Sequence, residues 1–247
     1  RGHDLRMGKR SLLLGLLLCV VQVALFDATA SEQKTVVELF TSQACPACRP
    51  AEALIEELSD RDDVLPLAFH VNYWDFTGWK DPFANETFSV RQRTYNTRFG
   101  VPFVATPQFV INGRLQLAGS GGGLLEEILS AKAAEDTTRP ELAVQLVEHN
   151  AARIVIGPVE VSAKYVVLIV RYTPSLKTYV SEGDNAGLEL KNTNVVRDLH
   201  AVGLYEGRAL VLTVPIEGFE DSSDRVAVLL QKVDLGTIIG AKVLNRP

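Results

Sequence analysis

Hydrophobic and polar positions in the first half of the chain alternate between two patterns. Short apolar runs rich in Val, Leu and Phe predict buried strands over residues 36–40 and 64–72. Apolar residues at three- and four-residue spacing predict helices over residues 51–58 and 86–99, and Gly100 is a stop signal for the second helix. The pattern therefore indicates that strands and helices alternate.

A hairpin and a third helix follow these elements. The Asn-Gly dipeptide at residues 112–113 is typical of a two-residue turn, and it joins predicted strands over residues 108–111 and 114–118. A last helix is predicted over residues 124–134. The order strand, helix, strand, helix, strand, strand, helix indicates an α/β fold whose first two strands are parallel. Their carboxyl ends and the start of the third strand then meet at one edge of the sheet.

The pattern changes near residue 137, where helical spacing gives way to short β-rich runs. Residues 136–140 are acidic and polar and include a proline, which is typical of a domain boundary. Regular short strands separated by turns favour an antiparallel β-sandwich, so we expect an α/β domain over residues 31–137 and a sandwich-like domain over residues 138–247. The predicted strands cover residues 141–147, 153–156, 165–172, 178–181, 195–202, 209–214, 226–231 and 238–244, with a loop at 183–187 and a turn at 191–194.

Residues 1–30 have the pattern of a secretory signal. Lys9 and Arg10 form a basic region, residues 11–26 an apolar region, and residues 28–30 a small-residue cleavage site. An uncleaved membrane anchor is the alternative, but the apolar run is short for a membrane span. We expect the mature protein to be secreted or periplasmic, with Cys19 removed together with the signal.

Charge and cysteine content narrow the function classes. The chain has 25 Lys and Arg against 30 Asp and Glu, a net charge of −5, and removal of the predicted signal makes it more acidic. This balance argues against nucleic acid and anionic membrane surfaces as partners. Only Cys45 and Cys48 remain after signal removal, in an oxidising compartment where they can form a disulfide.

The Cys45-Pro46-Ala47-Cys48 segment lies between a predicted strand and a predicted helix. A helix N-terminus presents unpaired N–H groups and a positive dipole end, which lower the pKa of a thiol there. We therefore expect Cys45 to be an exposed nucleophile and Cys48 a more enclosed resolving thiol. Pro46 suits the first helical position, whereas Pro50 is expected to kink the helix.

Several stretches together carry a family resemblance. They are VVELFTSQACPAC, LAFHVNYWDFTGWKDPFA, RQRTYNTRFG, TPQFVING and GDNAGLELKNTNVVRDL. With them the chain resembles the thioredoxin-like superfamily and, more closely, a family of secreted thioredoxin-like proteins described as a domain of unknown function. The resemblance implies a thioredoxin-like fold for residues 31–137, with Pro107 as a cis-proline facing the cysteines. Residues 42–44, Ser-Gln-Ala, replace the tryptophan that precedes the first cysteine in ordinary thioredoxins, which changes the expected substrate preference.

Other residues near this predicted edge are candidates for the same site. Glu38 is predicted to accept the proton of Cys48, or alternatively to form a local hydrogen bond at a strand edge. Thr106, Trp74 and Trp79 are predicted to bind substrate; alternatively, the aromatic rings form a small satellite core.

His70 has two interpretations. It could join the cysteines as a third metal ligand, but a core histidine with a satisfied hydrogen bond is favoured. No metal site and no cofactor are predicted.

The predicted function is that of an exported thiol–disulfide oxidoreductase acting on protein thiols and disulfides. Its Cys45 thiolate attacks a substrate disulfide, and Cys48 resolves the mixed disulfide. Two alternatives remain open. One is a metal-handling protein that binds copper at the cysteine pair, and the other is a non-catalytic binding module with an inert disulfide.

Overall fold

A computed structural model describes residues 33–133, 139–147, 150–216 and 223–244. The predicted signal over residues 1–30 and the predicted boundary at residue 137 lie outside these ranges. Within them, no helix is long and apolar enough to cross a membrane.

Four strands and three helices make up the first part of the chain. They are β1 (Thr35–Thr41), α1 (Arg49–Ser59), β2 (Val64–His70), α2 (Glu86–Phe99), β3 (Gln108–Ile111), β4 (Leu115–Ala118) and α3 (Leu124–Ala133). Helix α2 begins where Asn85 Oδ1 accepts a hydrogen bond from the Thr87 N–H at 2.9 Å, and it ends at Gly100, whose φ of 69° is left-handed. Both turn residues of the predicted hairpin, Asn112 and Gly113, also have positive φ, as this type of turn requires.

Seven strands form the second part. They are β5 (Leu142–Val147), β6 (Ala151–Ile156), β7 (Tyr165–Tyr179), β8 (Glu189–Tyr205), β9 (Leu210–Pro215), β10 (Arg225–Lys232) and β11 (Ile238–Val243). The predicted strand at residues 165–172 and the first two residues of the one at 178–181 belong to the single long strand β7, which ends at Tyr179.

The turn predicted at residues 191–194 is wrong, because these residues lie inside β8. The pairs Leu176–Asn192 and Lys177–Lys191 continue the β7–β8 ladder through this region. Asn194 has a left-handed φ of 51° within β8. Its turn-forming tendency therefore appears as a local irregularity of the strand.

One eight-stranded sheet joins the two parts, in the order β11-β10-β7-β8-β2-β1-β3-β4. Strands β1 and β2 are parallel, and β3 runs antiparallel to β1. The parallel pairing of Ala68 in β2 with Val195 in β8 connects the sheet across the predicted boundary. Every residue of β2 is buried, so this strand needs a neighbour on each side.

The expectation of a separate sandwich is therefore only partly met. Strands β7, β8, β10 and β11 continue the sheet of the first part, and only β5, β6 and β9 form a second sheet. That second sheet packs against one face of the larger one, where Ile154 meets Val167 and Val228 in a buried cluster. The structure is a mixed α/β fold with a large sheet and few helices.

The three helices pack on the two faces of the large sheet near β1, β2 and β3. Helix α2 packs on one face, where Phe40 and Tyr95 share a buried cluster with Tyr172 and Leu229 of the second part. Helices α1 and α3 pack on the opposite face of β1 and β3; this cluster contains Val37, Leu39, Phe109, Ile55 and Ile128. The carboxyl ends of β1 and β2 and the start of β3 meet at one edge of the sheet, which is where the cysteines lie.

Candidate functional site

Cys45, four residues after the end of β1, forms a disulfide with Cys48, and their Cα atoms are 5.4 Å apart. A short 3-10 helix, Pro46–Cys48, leads from Cys45 into α1. Cys48 itself is the N-cap of α1. The predicted kink at Pro50 is wrong, because α1 begins at Arg49 and Pro50 falls in the first turn, where no N–H partner is needed.

The predicted exposure of Cys45 is also wrong, since Cys45 and Cys48 are each only 1% exposed. A segment from the second part of the chain, residues 185–192, lies against this site. Asn185 Nδ2 donates to the carbonyl oxygen of Gln43 at 2.8 Å, and Gln43 Nε2 donates to Asn192 Oδ1 at 2.7 Å. We call residues 185–192 the covering segment.

A cavity of 170 Å³ lies between the cysteines and the covering segment. Both cysteines line it, together with Glu52 of α1 and Asn192 of β8. Arg49, Glu56, Glu189 and Lys191 bring charges of both signs to its wall. Access to the sulfur atoms is therefore shaped by polar residues from both parts of the chain.

The predicted proline lies beside the cysteines. The Thr106–Pro107 peptide is cis, and the carbonyl oxygen of Thr106 is 3.7 Å from Cys45 Sγ. The structure thus brings Thr106 and Pro107 to the disulfide, as expected from the return of the antiparallel strand β3.

The two tryptophans take different positions around this edge. Trp74 Nε1 donates to Thr106 Oγ1 at 2.7 Å, and its ring stacks on Phe76, which is 84% exposed. Trp79 Nε1 donates to Gln43 Oε1 at 3.1 Å. Trp74 therefore lies on the Thr106 side of the disulfide, whereas Trp79 binds the side chain of Gln43, two residues before Cys45.

Glu38 does not line the cavity with the cysteines, and it does not lie at a strand edge. Strand β1 has β2 and β3 as its two neighbours, and Glu38 is fully buried. Its carboxylate accepts a 2.7 Å hydrogen bond from Arg91 Nε and a second one from the Tyr95 hydroxyl, both on α2. These contacts make Glu38 part of the packing between α2 and the sheet.

Sequence reasoning missed a different carboxylate, that of Glu52. It is four residues after Cys48, and on a helix this spacing places two side chains on the same face. Glu52 Oε1 accepts a 2.7 Å hydrogen bond from Thr41 Oγ1. Burial raises the pKa of Glu52 above its ordinary value, while His70, Thr41 and Asn192 act in the opposite direction. The helical spacing from Cys48 is the signal that could have identified it.

His70 lies at the end of β2 and links Glu52 to a second buried carboxylate. Its Nδ1 is 2.7 Å from Asp81 Oδ2, which confirms the interpretation of a core histidine with a hydrogen-bond partner. Its Nε2 is 4.0 Å from Glu52 Oε1. Burial alone would lower the pKa of His70, but the Asp81 and Glu52 carboxylates raise it above its ordinary value.

Asp81 is also missed by sequence reasoning. Its Oδ2 additionally accepts a hydrogen bond from the Gln43 N–H at 2.8 Å, and its Oδ1 accepts one from the Phe83 N–H at 2.9 Å. Burial would raise the pKa of Asp81, but the charge of His70 and these hydrogen bonds lower it below the usual value. Within the described ranges, no group of three or more His, Cys, Asp or Glu side chains is arranged to hold a metal ion.

A solved structure supports this architecture. The chain is similar to a protein from Agrobacterium tumefaciens whose structure was determined by X-ray crystallography. The two sequences are 27% identical, and the two structures superpose with a TM-score of 0.75. The alignment covers 87% of this chain and 96% of that one. No curated protein matches the sequence. A family model described as "Protein of unknown function (DUF1223)" matches residues 36–231, and the chain therefore belongs to this family.

Proposed function

We propose that this protein is a thiol–disulfide oxidoreductase with a thioredoxin-like arrangement around its cysteine pair. The observation that carries the proposal is the position of the Cys45–Cys48 disulfide at the start of α1, with Cys45 Sγ 3.7 Å from the carbonyl oxygen that precedes the cis-proline Pro107. A cysteine pair at a strand-to-helix junction favours redox chemistry, because the helix N-terminus stabilises a thiolate.

The proposed reaction begins from the reduced dithiol. The Cys45 thiolate attacks one sulfur of a substrate disulfide, forms a mixed disulfide and releases the other substrate sulfur as a thiolate. Cys48 then attacks Cys45 Sγ, which breaks the bond to the substrate and forms the Cys45–Cys48 disulfide. The substrate disulfide gains two electrons, and the dithiol of the protein loses them.

Protein thiols and disulfides are the proposed substrates. The exposed ring of Phe76, stacked on Trp74 beside Thr106, offers an apolar surface next to Cys45. The covering segment restricts approach from the opposite side, so a substrate cysteine must be presented on an extended or flexible segment. If residues 1–30 act as a secretory signal, this exchange takes place outside the cytoplasm.

Trapping of the mixed disulfide tests this proposal. Reduced wild type mixed with a disulfide-containing peptide should regain its internal disulfide, whereas Cys48→Ser should stop as a covalent adduct with the peptide. Cys45→Ser is the matched control and should form no adduct. Intact-mass spectrometry reads all three outcomes, and either an unreactive wild type or an adduct on Cys45→Ser alone would reject the assignment.

One observation favours a second candidate, a binding module whose disulfide is inert. Both cysteines are buried beneath the covering segment, and an inaccessible disulfide does not exchange. The two candidates differ in reduction potential, which is a direct measurement on the purified protein.

A further inference from the structure

We propose that Glu52 exchanges a proton with Cys48 during the resolving step, and that His70 and Asp81 position and tune Glu52 for this role. The inference rests on the proposed function, because it assigns an acid–base residue to the same thiol chemistry. It replaces Glu38, whose carboxylate is occupied by Arg91 and Tyr95.

The helix places Glu52 close to Cys48. Cys48 has helical backbone angles, with φ −80° and ψ −21°, and α1 continues from it without interruption. Side chains four residues apart on a helix have Cβ atoms about 5–6 Å apart. Both residues also line the 170 Å³ cavity.

The carboxylate of Glu52 has a free oxygen for this purpose. Oε1 is held by Thr41, but Oε2 is buried and makes no hydrogen bond to any residue in the described parts of the chain. The same holds for Nε2 of His70, which is 4.0 Å from Glu52 Oε1. Buried polar atoms are nearly always paired, so an unpaired one requires an explanation, and a redox or catalytic role is one such explanation.

The charges around Glu52 suit a proton acceptor. Burial raises the pKa of Glu52, which brings the carboxyl closer to the ordinary thiol value of about 8.5 and makes proton transfer from Cys48 easier. The charge of His70 lowers the pKa of Glu52 and limits this rise, whereas the charge of Asp81 adds to it more weakly. The other charged groups facing this region are Arg49 and Glu56 on α1, Glu189 and Lys191 on β8, and Arg197, which acts on His70.

The proposed step is balanced in protons and electrons. With Cys45 in a mixed disulfide, the Cys48 thiol gives its proton to the Glu52 carboxylate, and the resulting thiolate attacks Cys45 Sγ. The bond between Cys45 and the substrate sulfur breaks as the Cys45–Cys48 bond forms, and its electron pair leaves on the substrate sulfur. Protonated Glu52 then returns the proton to that sulfur or to water.

Single-turnover kinetics with glutathione disulfide as the probe test this role. Reduced protein is mixed with the probe, quenched with acid at intervals and analysed for the glutathione adduct by mass spectrometry. Glu52→Gln should slow the decay of the adduct at pH 7 by about 100-fold, the usual scale for a lost acid–base group. The difference should shrink as the pH rises and Cys48 ionises without help.

Two further variants separate chemistry from structure. Glu57→Gln removes an exposed carboxylate from the same helix, away from the cavity, and should decay like wild type. His70→Gln should move the pH midpoint of adduct decay, which a purely structural loss would leave in place. Unchanged decay and an unchanged pH profile in Glu52→Gln would overturn the Glu52 role while leaving the thiol chemistry intact. A wild type that forms no adduct would instead reject both proposals.

A second measurement needs no substitution. The carboxyl ¹³C resonance of Glu52 in the wild type should titrate above the ordinary glutamate range and move when the disulfide is reduced. A resonance that titrates with the ordinary pKa of glutamate, and whose chemical shift does not change when the disulfide is reduced, would overturn the proposal. This test holds even if Glu52→Gln fails to fold.

Discussion

Gln43, two residues before Cys45, donates a hydrogen bond from Nε2 to Oδ1 of Asn192, which is 149 residues further along the chain. The donor and acceptor atoms are 2.7 Å apart and buried. Asn185 adds a second contact to the backbone of Gln43. Through these contacts, the second part of the chain is held against the segment that carries the disulfide.

Loosening the covering segment should expose the cysteines. Asn192→Ala removes the hydrogen-bond acceptor of Gln43, which should lower the free energy needed to open the covering segment locally. We therefore expect the reduced cysteines of this variant to react several-fold faster with a bulky thiol reagent. Stopped-flow labelling measures the rate. Asn194→Ala is the control for general loosening. Asn194 lies on β8, as Asn192 does, and the substitution removes its buried hydrogen bond to the carbonyl oxygen of Pro66 in β2. Equal acceleration in both variants would show that the Gln43–Asn192 contact does not limit access.

The buried ion pair of Glu38 should matter for stability and not for thiol chemistry. Glu38→Ala leaves Arg91 buried without its carboxylate, and breaking such a pair typically costs about 3–5 kcal/mol of unfolding free energy. Denaturant unfolding measures this loss. Glu86→Ala, which removes an exposed ion pair with Arg93, should change stability little. A Glu38→Ala protein of full stability that had lost disulfide exchange would restore Glu38 to the chemistry.

The hairpin at Asn112-Gly113 should tolerate no side chain at its second residue. Gly113 and Gly100 both have left-handed φ, at 61° and 69°, so alanine at either costs about 1–2 kcal/mol in backbone strain. At Gly113 an added Cβ would also overlap the carbonyl oxygen of Gly236, whereas at Gly100 it would meet no described atom within 4 Å. Gly113→Ala should therefore lose about 1–3 kcal/mol more than Gly100→Ala. Equal losses would show that the loop at Gly236 moves aside freely.

The His70–Asp81 pair should make stability depend on pH in a defined direction. The pKa of His70 is raised in the folded state, so its stabilisation is full below the unfolded value of 6.5 and fades as the pH rises through the folded value. The pKa of Asp81 is lowered, so its contribution is present above 3.8 and fades as the pH falls through the folded value.

The unfolding free energies of wild type and His70→Gln, measured across this range, check the prediction. Their difference should be largest between these limits and should shrink as the pH rises above 6.5. His200→Gln removes an exposed histidine and serves as the control. A difference that grows with rising pH would mean that burial, and not the two carboxylates, dominates the titration of His70.

Local patterns predicted much of this structure, because they depend on neighbouring residues. The spacing of apolar residues located α2 at its observed bounds, and the Asn-Gly dipeptide located the hairpin. The Cys45–Cys48 spacing at a strand-to-helix junction located the candidate site. Glu52 could also have been predicted as a site residue, because it lies one helical turn after Cys48.

The remaining features depend on contacts between distant parts of the chain. Nothing near β2 in the sequence indicates that β8 is its neighbour, so the second part was expected to form a sandwich of its own. Cys45 is buried next to Gln43, which is bound by the distant residues Asn185 and Asn192, whereas the local sequence alone indicated exposure. The buried pair of Glu38 likewise depends on Arg91, which α2 brings across the sheet. Strand order and side-chain partners at long range are set by the packing of the whole chain.

The reduction potential of the Cys45–Cys48 pair tests the central proposal most directly. The purified protein would be equilibrated with glutathione or dithiothreitol buffers of known potential, and the fraction of disulfide would be measured by thiol alkylation and mass spectrometry. A disulfide that takes part in exchange should equilibrate with these buffers at a potential above about −300 mV. A potential below about −300 mV, or no equilibration while the protein remains folded, would identify an inert structural disulfide and contradict the proposed function.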